Sequence, residues 1–163
     1  MLIANIKLNN NIINEISELL IDNVFIINIY EDGICLTQNV NEISNLSIFV
    51  DKFIFDKFEI SDENSFVTSN IEILKNIIIE KNNNIYKLNN KNCIINKSCN
   101  VCKNFKYCKF KILEDTNLNI DPKLHFIKNS KLSICNSNSF NGTVIKSIIN
   151  NFILYINILL EDT

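Results

Sequence analysis

The clearest structural signal in the chain is the stretch Val24-Phe25-Ile26-Ile27-Asn28-Ile29-Tyr30-Glu31-Asp32-Gly33-Ile34. Branched and aromatic residues dominate positions 24–30, which predicts a strand. Asp-Gly at positions 32–33 is a strong hairpin signal, because glycine adopts turn conformations that other residues resist. Positions 34–37 then predict the returning strand. The stretch therefore predicts an antiparallel hairpin near the start of the chain.

Strand and helix patterns continue on both sides of this hairpin. Residues 2–8 alternate apolar and polar side chains, which predicts a strand. Behind a run of asparagines at 9–11, apolar residues recur at helical spacing and predict a first helix. Ser69-Asn70 precedes a second such pattern and predicts a second helix. The apolar positions are Ile12, Ile13, Ile16, Leu19 and Leu20 in the first helix and Ile71, Leu74, Ile77 and Ile78 in the second.

The rest of the chain is predicted to be mostly strand. A polar segment at 114–123, which carries the only proline, Pro122, predicts a linker. Residues 144–149 predict a helix. Strands are predicted at 45–50, 52–60, 85–88, 93–96, 105–113, 126–133 and 152–160.

The two ends of the chain share a pattern. Ile16, Leu19 and Leu20 correspond to apolar residues exactly 129 positions later, at 145, 148 and 149. The strand that follows each group ends in an acidic turn. This predicts a repeated strand–helix–strand unit, and chance similarity in a chain rich in Ile and Asn is the alternative.

Composition limits the possible function classes. The chain has 163 residues, of which 47% are hydrophobic, so it can bury a sizeable core. All its basic residues are Lys, and with a net charge of -2 it lacks the basic character of proteins that grip DNA tightly. We interpret the dominance of Asn, Ile and Lys as the signature of an AT-rich genome.

Targeting signals are not apparent in the sequence. The start, Met1 to Lys7, lacks the basic segment and long apolar run of a signal peptide. No stretch reaches the roughly 18 apolar residues that span a membrane. We therefore expect an intracellular protein with reduced cysteines, located in the nucleus if the source is eukaryotic and otherwise in the cytoplasm or at a viral replication site.

The order of these segments resembles the sliding clamps of DNA replication, the proliferating cell nuclear antigen (PCNA) family. The hairpin at 24–34 is similar to the family's strand, acidic residue, Gly and Ile/Val element. Leu46-Ser47-Ile48 follows at the spacing of the next clamp strand. The remaining matches are Phe-Asp-Lys-Phe-Glu-Ile at 55–60, Ile-Glu-Ile-Leu-Lys-Asn-Ile at 71–77, Phe-Lys-Ile-Leu-Glu-Asp at 110–115 and Leu-Asn-Ile-Asp-Pro at 118–122.

The resemblance implies an α+β fold of the DNA-clamp type, with helices on one face of antiparallel sheets. It implies a full clamp-like domain at 1–113, an interdomain connecting loop at 114–124 and an incomplete second domain at 125–163. Because the second copy is short, its last strands are expected to lack partners and to leave exposed edges.

The resemblance also implies a function. Clamp subunits close into a ring around duplex DNA and tether DNA polymerase and other replication proteins, which dock short peptides beside the connecting loop. By this resemblance, Lys75 and Lys146 face DNA through weak, nonspecific contacts. The implied partner-binding residues are Leu46, Leu118, Ile120 and Pro122. A homo- or hetero-oligomer that does not associate with membranes is therefore expected.

Several positions depart from the clamp pattern. Gln38-Asn39-Val40 stands where clamps usually carry Met-Asp, next to the implied partner site. The first helix carries Glu15 and Glu18 and no Lys, and Glu72 occupies a position that is often basic in the family. The inner surface is therefore expected to be weakly positive at best.

Four cysteines form a second candidate site. Cys93, Cys99, Cys102 and Cys108 are spaced C-x5-C-x2-C-x5-C, and four thiolates can hold a structural Zn²⁺. Lysines and aromatic residues interleave at 97–110, a pattern that can contact nucleic acid. The alternative is that these cysteines are small buried hydrophobes, and we favour that alternative because only one C-x2-C pair is present.

Signals for an enzyme are missing from the sequence. His125 is the only histidine, and with only Gly33 and Gly142 the chain cannot form a Gly-rich phosphate loop. We therefore predict a non-enzymatic, clamp-like processivity scaffold without a cofactor. Two alternatives remain: a zinc-containing nucleic-acid-binding or transcription-related protein, and a regulatory or checkpoint-type clamp subunit.

Overall fold

The structure is a computed structural model, and it describes residues 1–39, 44–98, 110–113, 132–135, 143–149 and 152–158. Within these ranges the chain forms one α-helix, α1 (Asn10–Leu19), and two 3-10 helices, Lys52–Ile54 and Ile71–Lys75. The strands are β1 (Leu2–Lys7), β2 (Phe25–Tyr30), β3 (Gly33–Asn39), β4 (Ser44–Asp51), β5 (Lys57–Ile60), β6 (Asn64–Thr68), β7 (Ile77–Asn82), β8 (Ile85–Leu88), β9 (Lys91–Asn92), β10 (Phe110–Leu113), β11 (Leu132–Cys135), β12 (Thr143–Ile149) and β13 (Phe152–Ile158).

The strands form two antiparallel sheets. A five-stranded sheet has the order β5-β1-β7-β8-β9, and an eight-stranded sheet has the order β10-β11-β12-β13-β4-β3-β2-β6. The predicted class, α+β with antiparallel sheets, is confirmed. Both sheets and α1 contribute to one hydrophobic core.

The predicted hairpin forms as β2 and β3, with Tyr30 opposite Gly33. Gly33 has a φ of +154°, which side chains rarely allow. A Cβ at this position would lie 2.2 Å from the carbonyl oxygen of Val50 on β4, so only glycine fits. The single glycine in the described residues is therefore required by the close approach of β4.

The centre of the eight-stranded sheet is buried on both faces. Ile27, Ile34 and Ile48 face the core shared with the other sheet. On the opposite face of the same strands, Tyr30 and Cys35 are also buried. On this outer face of β2 burial is incomplete, because Asn28 and Tyr30 are buried while Ile26 is exposed.

The first predicted helix is confirmed as α1. The side-chain oxygen of Asn9 accepts a hydrogen bond from the Ile12 N–H at 3.0 Å and caps the helix. Ile13, Ile16 and Leu19 are buried on one face. The helix packs against the 3-10 helix Ile71–Lys75, so the two helical segments lie together.

The strongest long-range feature is the pairing of β13 with β4. Seven consecutive residue pairs join Ser44–Val50 to Ile158–Phe152 in antiparallel register. Phe152 and Leu154 are fully buried opposite Val50 and Ile48. Segments more than 100 positions apart in the sequence therefore form one continuous sheet.

Two predicted helices are wrong. The segment predicted as the second helix forms only the 3-10 helix Ile71–Lys75, and Ile77–Asn82 is β7. The helix predicted at 144–149 is strand β12. Both segments are rich in β-branched isoleucine, which favours strands. In so Ile-rich a chain, apolar residues also fall at helical spacing by chance. Pairing with neighbouring strands therefore decides the structure of both segments. The repeated strand–helix–strand unit is therefore absent from the described residues.

Some smaller predictions also fail, and one strand was not predicted. The strand predicted at 52–60 begins only at Lys57, because Lys52–Ile54 forms a 3-10 helix. Strand β6, Asn64–Thr68, was not predicted, since polar residues open it. The last strand, β13, is not an exposed edge, because β12 and β4 pair with it on its two sides.

Gln38 on β3 holds the connection between α1 and β2. Its side-chain oxygen accepts hydrogen bonds from the N–H groups of Ile21, at 2.8 Å, and Asp22, at 3.5 Å. Its side-chain nitrogen donates to the carbonyl oxygens of Asp22 and Val24. Because Gln38 is only 3% exposed, these bonds are shielded from water.

We predict that Gln38→Leu destabilises the protein by about 2–4 kcal/mol, because a buried amide that bonds three backbone residues is lost. The measurement is the free energy of unfolding from urea titration followed by circular dichroism. The matched control is Asn23→Ala, since Asn23 is exposed in the same connection; we expect a change below about 0.5 kcal/mol. Equal effects of the two substitutions would contradict this role of Gln38.

Candidate functional site

The predicted partner-binding residues are only partly described. Leu46 lies on β4, is fully buried and contributes to the hydrophobic core. It is paired with Gln38 on β3 and Ile156 on β13. The other three residues, Leu118, Ile120 and Pro122, lie outside the described residues, as does the predicted loop at 114–124. The partner site at these residues stays a prediction. In this structure the Leu46 side chain packs in the hydrophobic core.

The two predicted DNA-facing lysines occupy different elements. Lys75 is the last residue of the 3-10 helix Ile71–Lys75 and forms an ion pair with Glu72. Both side chains are about half exposed, so solvent weakens the pair while Glu72 still offsets the charge of Lys75. Lys146 lies on β12, opposite Ser133 and Tyr155, and not on a helix as the sequence predicted. Its contact with DNA stays a prediction.

The solvent-facing side of α1 carries no cation. Its exposed residues are Asn10, Asn11, Asn14, Ser17 and Glu18. Glu15 is partly buried, and its Oε2 has no hydrogen-bond partner within the described part of the chain. Because attraction to DNA comes mainly from lysine and arginine near phosphates, this surface has little attraction for DNA.

One cysteine of the predicted zinc cluster is described. Cys93 is partly exposed, and its thiol donates a weak hydrogen bond to the carbonyl oxygen of Ile94 at 3.6 Å. Burial raises the pKa of the Cys93 thiol, which keeps it protonated at neutral pH. Cys99, Cys102 and Cys108 lie outside the described residues, so the zinc hypothesis stays a prediction.

A metal ion needs several ligand side chains close together in the described ranges. Those residues bring together no group of three or more His, Cys, Asp or Glu side chains that could hold a metal ion. His125 lies outside them. None of the helices described is long and apolar enough to cross a membrane.

Two asparagines have a buried side-chain oxygen that lacks a hydrogen-bond partner in the described part of the chain. The Oδ1 atoms of Asn5 and Asn64 have no hydrogen-bond partner within the described residues. Asn64 is 4% exposed and lines a cavity of about 540 Å³ between the two sheets. Sequence analysis missed this position, since asparagine is common throughout the chain and the cavity joins residues distant in sequence.

Comparison with known proteins gives weak likenesses. No family model and no curated protein matches the sequence. The structure is similar to a PCNA of Thermococcus kodakaraensis, at 9% identity and a TM-score of 0.46, over 96% of this chain and 99% of that one. It is also similar to a PCNA of A. fulgidus solved with the C-terminal region of FEN-1 bound, at 5% identity and a TM-score of 0.43, over 98% of this chain and 100% of that one.

Both structures belong to the family that the sequence motifs resemble. Identities this low and TM-scores below 0.5 are too weak to assign a function to the chain.

Proposed function

We propose that the chain is a sliding-clamp-like scaffold and not an enzyme. The observation that carries this proposal is the pairing of β13 with β4, which joins both ends of the chain in one eight-stranded sheet. A scaffold needs a rigid body with defined edges and surfaces, and it needs no reactive groups. The sequence motifs that resemble clamps support the same proposal.

The finer role that we propose is that of a DNA polymerase processivity factor. In this role the protein encircles duplex DNA and tethers polymerase and other peptide-docking replication proteins. The cation-poor face of α1 and the net charge of -2 fit retention by encirclement, because a closed ring needs only weak phosphate contacts. The partner proteins dock, in this proposal, near the segment that contains Leu118, Ile120 and Pro122.

Ring formation requires two different edges that can pair. The eight-stranded sheet ends in β6 on one side and β10 on the other. Pairing β6 of one copy with β10 of the next is a head-to-tail contact, which generates a ring when the rotation closes. Open strand edges favour such pairing, since their backbone groups need partners.

The backbone of β6 shows which groups face outward. Ser65 exchanges two hydrogen bonds of 2.9 Å with Asn96, on the side away from β2. Because backbone groups alternate direction along a strand, the N–H of Val67 also points away from β2. Among the described residues, Asn96 forms an isolated bridge to Ser65 alone, so the Val67 end of the edge is available for a neighbouring chain in this proposal.

We predict that Val67→Pro abolishes self-association, because proline removes the outward N–H and leaves the bonds between β6 and β2 intact. The measurement is the molar mass by light scattering at about 50 μM, a concentration at which an oligomer with a micromolar dissociation constant is populated. The unchanged protein is expected to be oligomeric and the proline variant monomeric.

The matched control is Val67→Thr, which keeps the N–H and a similar shape. We expect this variant to remain oligomeric. A strictly monomeric unchanged protein would count against ring formation by this chain alone and would favour a regulatory subunit that needs another clamp chain.

We predict that Lys75→Gln and Lys146→Gln each reduce the slope of log affinity for duplex DNA against log salt concentration by about 1, because each removes one phosphate contact. The measurement is fluorescence anisotropy of labelled DNA over a range of salt concentrations. The matched control is Lys57→Gln, since Lys57 is also ion-paired with a glutamate and similarly exposed. A reduction as large for Lys57→Gln would contradict a DNA-facing role specific to Lys75 and Lys146.

A further inference from the structure

The five-stranded sheet has an open edge at β5. Among the described strands, β5 pairs with β1 alone and stands at the end of the sheet order. This edge belongs to the other sheet from β6 and β10, whose edges are the proposed ring contacts. An open edge presents a row of backbone donors and acceptors with which a further strand can pair.

The alternation along β5 shows which backbone groups face outward. Just past the strand, the Ser61 N–H donates to a carbonyl oxygen of the opposite strand, β1, at 2.8 Å. Because backbone groups alternate in direction, those of Lys57 and Glu59 also point at β1, and those of Phe58 and Ile60 point away. Phe58 and Ile60 each offer an outward donor and an outward acceptor, and neither has a partner strand on that side within the described residues.

The side chains of β5 separate into a charged face and an apolar face. Lys57 and Glu59 point to one face of the sheet, and Phe58 and Ile60 point to the other. Phe58 and Ile60 are partly buried and pack against the hydrophobic core, so some of their apolar surface remains uncovered. A strand lying beside β5 therefore meets charged and apolar positions in alternation.

The charged face is unbalanced on the side of β1. Lys57 lies opposite Lys7, and like charges in such a pair are destabilising. Glu59 lies opposite Asn5, which carries no charge. Within β5, the Lys57 Nζ and a carboxylate oxygen of Glu59 are 3.9 Å apart, with 40% and 65% of the side chains exposed, so this ion pair contributes little. Lys57 and Glu59 can therefore each gain an opposite charge on their open side.

These features define the sequence pattern of a partner strand. All strand pairs of this sheet are antiparallel, and antiparallel pairing is slightly more stable per residue. In an antiparallel partner, the residues opposite Ile60, Glu59, Phe58 and Lys57 follow one another from the N-terminal to the C-terminal side. The pattern that fits is apolar, basic, apolar and acidic.

A second copy of the chain fits this edge less well. Around a two-fold axis at Phe58, the copy would place its own segment 56–59 against β5 and its Asp56 opposite the apolar Ile60. The N–H of Asp56 also donates to the carbonyl oxygen of Lys7 at 2.9 Å, so it is not available to a neighbouring chain. The edge therefore favours a different protein.

We propose that the β5 edge binds an extended segment of a partner protein with the pattern apolar, basic, apolar and acidic, added as an antiparallel strand. Strand addition of this kind combines main-chain hydrogen bonds with selection of alternate side chains. The segment exchanges backbone hydrogen bonds with Phe58 and Ile60 and packs its apolar side chains beside them. Its acidic side chain pairs with Lys57 and its basic side chain with Glu59. This site is independent of the scaffold function.

The test is a titration of the full-length, ¹⁵N-labelled protein with acetyl-Gly-Val-Lys-Val-Glu-Gly-amide, followed by nuclear magnetic resonance. We expect saturable shifts of the Phe58 and Ile60 backbone amides, with a dissociation constant on the order of 1 mM, since a short peptide loses much freedom on binding. Both amides are also expected to exchange more slowly with solvent, because they gain an acceptor.

The control peptide has the same composition and the two charges exchanged, acetyl-Gly-Val-Glu-Val-Lys-Gly-amide. In the antiparallel register it places like charges opposite Lys57 and Glu59. We expect it to bind about fivefold more weakly.

A charge-exchange variant separates recognition from folding. In the double variant Lys57→Glu with Glu59→Lys, we expect the preference between the two peptides to reverse, again by about fivefold. Damage to the fold weakens both peptides and does not reverse their order. The matched control is Glu80→Lys with Lys87→Glu, a cross-strand pair of exposed residues in the same sheet away from the β5 edge, and it is expected to leave the preference unchanged.

Methylation of the peptide backbone tests the hydrogen bonds. N-methylation of the second valine removes the donor to the Phe58 carbonyl oxygen, and we expect affinity to fall about tenfold. N-methylation of the lysine changes an N–H that points away from β5, and we expect a loss below about twofold.

Equal affinity for the two peptides, or the same preference in the Lys57→Glu, Glu59→Lys variant as in the unchanged protein, would overturn the proposal. No saturable shift at Phe58 and Ile60 would overturn it as well. Shifts of these amides on dilution of the protein without peptide would assign the edge to a second copy and exclude a partner protein as its occupant.

Discussion

The ladder between β4 and β13 joins the strands from both ends of the chain into one eight-stranded sheet. Without β13, β4 would be the edge of its sheet, and Ile48 and Val50 would lose the cover of Leu154 and Phe152. These two residues of β13 are fully buried, and burying such side chains contributes roughly 1.5–3 kcal/mol each. The same ladder leaves β6 and β10 as the two ends of the eight-stranded sheet. Both the proposed scaffold and its proposed ring contacts depend on it.

In this chain asparagine occupies turn positions of the kind that glycine occupies in most proteins. Asn83, Asn89 and Asn90 have positive φ values of 57°, 49° and 67°. Asn89 also holds the start of β7, since its side chain accepts from the Ile78 N–H and donates to the Asn76 carbonyl oxygen, both at 2.8 Å. Asparagine tolerates the left-handed region better than other residues with side chains. A chain with two glycines can therefore still form tight hairpins.

The local parts of the fold could be predicted from the sequence. The Asp-Gly turn and the Asn9 cap identified the β2–β3 hairpin and α1, because each signal acts within a few residues. Isoleucine-rich segments such as residues 144–149 were ambiguous, since helix and strand spacing both fit a nearly continuous apolar run. Only pairing with β11 and β13 decides that β12 is a strand, and this information is not local.

The cavity between the two sheets was beyond prediction for the same reason. Ile3, Asn64, Tyr86 and Ile95 meet only after the two sheets have packed. No spacing along the chain signals that meeting, and asparagine is too frequent here to mark one position. The unsatisfied side-chain oxygens of Asn5 and Asn64 exist only in the folded protein.

The pairing of β4 with β13 can be measured directly by nuclear magnetic resonance of the full-length protein. This ladder predicts cross-strand nuclear Overhauser contacts between the backbones of paired residues, such as Ile48 with Leu154 and Val50 with Phe152. It also predicts slow hydrogen exchange at β4 amides on both sides of the strand, because an interior strand is hydrogen-bonded on both sides. Absence of these contacts, with fast exchange at every second amide of β4 as in an edge strand, would contradict it.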